Sequence, residues 1–200
     1  MIQTELRIDT ALWMLMFFFT VFFFGGFGGA TLASVDGNDG PFEPRFAVAD
    51  WNLELTGTGI IRYLGLFKVS EVALYMPAEV PADQVLKTDT PRRLEVRYFR
   101  DLKKDDFVKS TRVWIRKNVS EGEYKTLEPK IERLNALYED VKEGDRYGLT
   151  YVPGKGTTLD LNGREIGAVS GGDFARALFS IWLGEEPVED GLPGELLGRA

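Results

Sequence analysis

The chain has 200 residues, enough for one domain with a sizeable core, and carries a net charge of −7 from 31 acidic and 24 basic side chains. That acidic balance argues against nucleic acid as a partner. Cysteine and histidine are both missing, which excludes disulfides, thiolate chemistry, Cys/His metal sites and a histidine general base, and no cofactor is expected.

Residues 11–24 are apolar except for Thr20, and no charge appears between Asp9 and Asp36. Small residues follow, ending in Thr31-Leu32-Ala33-Ser34. An apolar run before a small-residue site reads as a secretory signal peptide over residues 1–35. Glu5 and Asp9 stand against Arg7 where a positive lead is usual, so an uncleaved anchor over residues 11–33 is the alternative. Export is expected in both cases. Residues 36–41, Asp-Gly-Asn-Asp-Gly-Pro, have the composition of a linker, and residues 42–200 form one domain.

Within that domain, residues 46–55 alternate loosely and predict one or two strands. Ile60-Ile61 and residues 69–76 are β-branched and aromatic, and Leu64-Gly65-Leu66 supplies the bend of a central hairpin. Residues 93–99 alternate as a half-buried strand does, and Asp101 is a candidate N-cap region for a helix over 105–118. That helix places Phe107, Val108, Thr111, Trp114 and Ile115 on one face, with Lys109, Arg112 and Arg116 on the other. A second helix is predicted over 127–141, with Pro129 in its first turn. Strands resume at 147–152, 157–161 and 164–169, with Asn162-Gly163 a two-residue hairpin signal. Ser170-Gly171-Gly172-Asp173 opens a last helix ending at Gly184, and the tail is expected to fold back over the domain. The run Gly154-Lys155-Gly156-Thr157 lacks the spacing and following helix of a phosphate loop. Strands and helices that segregate along the chain predict an α+β domain with an antiparallel sheet covered by helices on one face.

Arg62 sits among aliphatic and aromatic neighbours, three residues beyond Gly59 and five beyond Gly57. The central hairpin is read as presenting Arg62 to the interior, where its permanent charge requires either an internal carboxylate such as Glu54 or Glu71, or an anionic ligand.

The series Gly57-x-Gly59-x-x-Arg62, Phe67-Lys68-Val69, Ala73-Leu74-Tyr75-Met76-Pro77, Gly144-Asp145, Pro153-Gly154-x-Gly156-Thr157, Asn162-Gly163 and Ile181-Trp182-Leu183-Gly184 resembles the chalcone isomerase-like family, in its bacterial exported branch. The resemblance spans about residues 52–198. It implies an open-faced β-sandwich, with a large antiparallel sheet and a helical layer enclosing an apolar cleft, and a periplasmic location. It also implies that Arg62 corresponds to the arginine that stabilises negative charge in the plant isomerases, and that Ser70 keeps a hydroxyl where those enzymes carry threonine. Polar positions of the plant cleft correspond to Phe107, Trp114 and Ala175, which would make the pocket greasier and efficient chalcone cyclisation improbable. The expected ligand set is therefore Arg62, Ser70, Tyr75, Phe107, Thr111, Trp114 and Ala175 around a fatty acid or similar amphipathic carboxylate. Two alternatives stand beside it. One is an intramolecular lyase acting on a phenolic or enone substrate, with Arg62 catalytic; the other is a ligand-free envelope scaffold. Membrane contact is expected only through an uncleaved N-terminal segment.

Overall fold

The computed structural model describes residues 41–86 and 90–199. The signal peptide or anchor, and all of the linker but Pro41, lie outside the described residues. No helix among the described residues is long and apolar enough to cross a membrane.

Seven strands form one antiparallel sheet in simple sequence order: β1 (Arg45–Val48), β2 (Trp51–Tyr63), β3 (Phe67–Met76), β4 (Arg92–Tyr98), β5 (Arg146–Val152), β6 (Gly156–Leu161) and β7 (Arg164–Val169). Neighbouring strands are joined by short turns, as an antiparallel ladder permits, except β3 to β4, over residues 77–91, and β4 to β5. The β4–β5 connection carries helices α1 (Lys104–Asn118) and α2 (Glu121–Asn135), and α3 (Gly172–Leu183) and α4 (Leu192–Leu196) follow β7. The four helices pack on one face of the sheet, as the α+β expectation required. The central hairpin is present, with β2 and β3 paired from Glu54 opposite Met76 to Tyr63 opposite Phe67. The Asn162-Gly163 turn has φ 53° and 78°, the left-handed pair such a hairpin needs.

Side-chain alternation sorts the strands into two faces. Val72, Leu74 and Met76 of β3, Leu94 and Val96 of β4, and Tyr147, Leu149 and Tyr151 of β5 point toward the helices. They meet Ile115 of α1, Leu127 and Ile131 of α2, and Phe174, Leu178 and Ile181 of α3. On the other face a smaller cluster of Phe42, Leu53, Ala73 and Tyr75 is flanked by Phe46, Val48 and Leu55. The chain entering β1 thus covers part of the side that the helices leave open.

Two local expectations need correction. The second helix runs over Glu121–Asn135 rather than 127–141, so Pro129 is interior and Tyr138 and Val141 lie beyond its end. Its start is set by Ser120, whose hydroxyl accepts the Glu123 N–H at 3.2 Å. Ser120-x-x-Glu123 is the sequence of a capping box, a stronger start signal than the proline. Asp101 does not cap α1. Asp106 accepts the Lys103 N–H at 3.0 Å, while Asp101 binds the Lys142 ammonium at 2.8 Å and the Glu143 N–H at 3.0 Å.

Candidate functional site

On the helix-facing side of β3, the position before Val72 in the alternation is Ser70, and its partner across the ladder is Tyr98 of β4. Ser70 is 2 % exposed and Tyr98 7 %. Neither hydroxyl makes a hydrogen bond to another described residue. The Tyr98 ring stands edge-on to Phe107 of α1 and Tyr147 of β5, with centroids 5.4 and 6.0 Å away. Phe107 also meets Tyr147 and Tyr138, at 5.3 and 5.4 Å. One helical turn past Phe107, the Thr111 hydroxyl lies 2.9 Å from the Tyr138 hydroxyl. The Tyr147 hydroxyl donates to the Glu139 carbonyl at 2.9 Å and accepts its N–H at 2.8 Å. Tyr138 and Tyr147 are therefore satisfied within the protein, whereas the hydroxyls of Ser70 and Tyr98 have no protein partner among the described residues and keep some access to solvent.

Burial pushes all three phenols up. Tyr147 is raised to about 12 by desolvation, against the pull of its backbone hydrogen bond. Tyr138 and Tyr98 are raised by desolvation as well, Tyr98 with added repulsion from its two tyrosine neighbours. All three stay protonated near neutrality, which suits hydrogen-bond donation and not general-base work.

The expected ligand residues divide. Ser70 and Phe107 adjoin Tyr98, and Thr111 joins the same cluster through the Tyr138 hydroxyl. Trp114 lies a turn further along the inward face of α1, and Ala175 is fully buried on α3. The interior placement of Arg62 is corrected: it is exposed, and among the described residues its guanidinium meets only its own strand, with Nη1 3.4 Å from the Ile60 carbonyl. Successive strand residues point to opposite faces, and Ile61 is the one packed on the core. Glu54 is 3.4 Å from Arg45 instead, and Glu189 accepts the Arg62 backbone N–H at 2.9 Å. Tyr75 lies on the face away from the helices, opposite Arg93 in the ladder, and is raised to about 12 by burial and the nearby Glu95. Gly57 and Gly59 do provide close approach, but to α4. A Cβ at Gly57 would strike the carbonyls of Glu195 and Leu196, and one at Gly59 the side chains of Leu192 and Glu195.

The arginines that are buried are Arg92 and Arg93. Arg92 faces the helices between the rings of Tyr151 and Phe179, with its guanidinium carbon 4.9 and 4.8 Å from their centroids. It donates to the Val85 and Thr90 carbonyls at 3.1 and 3.2 Å. Arg93 faces the other way, into Asp160, Glu95 and the Thr150 hydroxyl. Burial opposes its charge, but the Asp160 hydrogen bond and the two carboxylates outweigh that and hold its pKa above the usual value. Consecutive arginines at the start of an alternating run were the available signal, since one of the two had to face inward.

The basic face of α1 is answered by α2: Arg112 forms a two-pronged bond to Glu132 at 3.0 and 2.6 Å, and Arg116 lies over the Tyr124 ring. A groove of about 440 Å³ between these two helices is lined by the same residues. Its cations are already paired. No cluster of three metal-ligating side chains occurs among the described residues.

A family model described as chalcone isomerase-like matches residues 35–198. The fold is similar to the crystal structure of a fatty-acid binding protein from Arabidopsis thaliana, with a TM-score of 0.62 and 17% sequence identity, over 78% of this chain and 90% of that one. At that identity the likeness establishes the fold. No curated protein matches the chain.

Proposed function

The chain belongs to the chalcone isomerase-like family, and from that premise we propose that its domain binds a fatty acid or similar amphipathic carboxylate without turning it over. The observation that carries this reading is that Ser70 and Tyr98, largely buried and paired across the β3–β4 ladder, have hydroxyls with no protein partner among the described residues. A carboxylate accepts hydrogen bonds and has no donor to offer, so two hydroxyl donors side by side complement it. The apolar tail would lie along the half-buried Phe107 and Trp114 of α1, which part to admit it. A fatty-acid binding neighbour of the same fold supports the reading, and the protonated phenols favour hydrogen-bond donation to a carboxylate. The apolar stretch over residues 11–24 supports an exported setting for this activity, periplasmic or membrane-anchored.

The test is mass spectrometry under native conditions on protein purified from its own envelope without detergent. A copurified fatty acid, lost from the double variant Ser70→Ala/Tyr98→Phe while the fold persists, is the expected result. Each lost hydrogen bond to a charged head is worth about 1.5–3 kcal/mol, so affinity for an added fatty acid falls at least tenfold per hydroxyl. Protein that arrives empty and takes up no added fatty acid overturns the reading.

A further inference from the structure

The β2–β3 hairpin ends in an apex that no part of the described domain covers. Leu64 is 53 % exposed, Leu66 78 % and Phe67 54 %. The turn closes through the Leu66 N–H to the Tyr63 carbonyl at 3.1 Å, and its central residues Leu64 and Gly65 have φ 53° and 67°. Glycine or asparagine suits such a turn; a leucine in left-handed backbone is unfavourable. Here its side chain gains no packing within the domain in return. Directly behind the apex, Arg62 and Lys68 face each other across the ladder, both exposed. Like charges in that position weaken a hairpin. Neither makes an ion pair among the described residues, in a chain whose net charge is −7. The nearby acids do not quench them: Glu189 takes the backbone N–H of Arg62, and Glu71 lies three residues further from the apex than Lys68.

Two features that cost the fold stability, an apolar apex and a facing pair of cations, share one external explanation. We propose that the β2–β3 apex is a docking wedge for a bilayer surface containing anionic phospholipid. Leu64, Leu66 and Phe67 enter the boundary between head groups and acyl chains, and Arg62 and Lys68 stay at the level of the phosphates. An apex with three exposed apolar side chains, flanked by two cations, suits a deformable lipid surface. This contact is separate from any role of residues 1–40 and does not depend on Ser70 or Tyr98.

The full-length chain contains no cysteine, so Leu66→Cys places a single polarity-sensitive fluorophore at the apex. Lys155→Cys places it in the β5–β6 turn, at the opposite end of the sheet, as a control. With vesicles of phosphatidylcholine plus phosphatidylserine, the apex label should shift to an apolar emission and be quenched by nitroxide lipids, while the Lys155 label stays in water. With phosphatidylcholine alone the apex label should respond weakly. Adding Lys68→Gln should raise the anionic lipid needed for half the response about fivefold, the weight of one cation near such a surface. An apex label that remains in water while the chain is vesicle-bound overturns the proposal, because another segment then makes the contact. So does an equal response on uncharged vesicles, or a shift that appears without lipid and reports self-association.

Discussion

Asp160 of β6 reaches across β5 to grip Arg93 of β4, with 2.6 Å between Oδ2 and Nη1 and 3.3 Å between Oδ1 and Nη2. The pair passes directly over Gly148, where a Cβ would collide with both groups. Glu95, 3.2 Å from Arg93, is held in turn by Arg146 at 2.7 Å, and the Phe46 ring closes over the Arg93 guanidinium. Removing one member of such a buried pair leaves an uncompensated charge, so Asp160→Leu should cost about 3–5 kcal/mol in urea unfolding. Arg93→Met combined with Asp160→Leu should cost clearly less than Asp160→Leu alone. Equal losses for the single and double variants would show that Arg93 is not held by Asp160.

Tyr98→Phe should leave thermal stability unchanged or raise it by up to about 1 kcal/mol, since the hydroxyl it removes has no partner among the described residues. Tyr147→Phe should instead cost about 1–2 kcal/mol, because the Glu139 N–H and carbonyl lose their partner. Calorimetry on the two variants separates these outcomes. A large loss from Tyr98→Phe would mean that its hydroxyl is engaged in the folded protein.

Alkaline pH should unfold the domain through its phenols. Tyr75 and Tyr147 are raised from 10.0 to about 12 by burial. Their contribution is complete below pH 10, where both folded and unfolded phenols are protonated. It is lost as pH rises toward 12, because the unfolded chain releases those protons first. Two units correspond to about 2–3 kcal/mol for each residue. Phenolate absorbance should therefore show a late, cooperative step coinciding with loss of helical signal. Smooth titration of every tyrosine near pH 10 with the fold intact would contradict the burial described here.

Gly57→Ala should dislodge α4, because the added methyl meets backbone carbonyls of Glu195 and Leu196 that cannot yield without moving the helix. Exposing Leu192 and Leu196 should cost about 2–4 kcal/mol and open the C-terminal segment to limited proteolysis. Gly194→Ala lies in the same helix with open space around it, and should be neutral or slightly stabilising. A Gly57→Ala protein whose tail remains resistant would sink this account.

The sequence by itself determined the parts of this protein that repeat at short range. The two-residue alternation marked the strands, the apolar spacing of Phe107, Thr111, Trp114 and Ile115 marked α1, and Asn162-Gly163 marked its hairpin. The order of motifs from Gly57 to Gly184 carried the family. It also held the true start of α2, in Ser120-x-x-Glu123, which the more conspicuous Pro129 masked. Tertiary structure alone decided which arginines are buried. A one-residue difference in parity separates Ile61, which packs on the core, from Arg62, which does not, and local composition is the same for both. Likewise, Ser70, Tyr98, Tyr138 and Tyr147 come together from β3, β4, the stretch after α2, and β5, and nothing within any one of these segments announces the others. Side-chain partners over such separations are set by strand order and helix placement, so a residue's charge or hydroxyl can be read from the chain while the group it faces cannot.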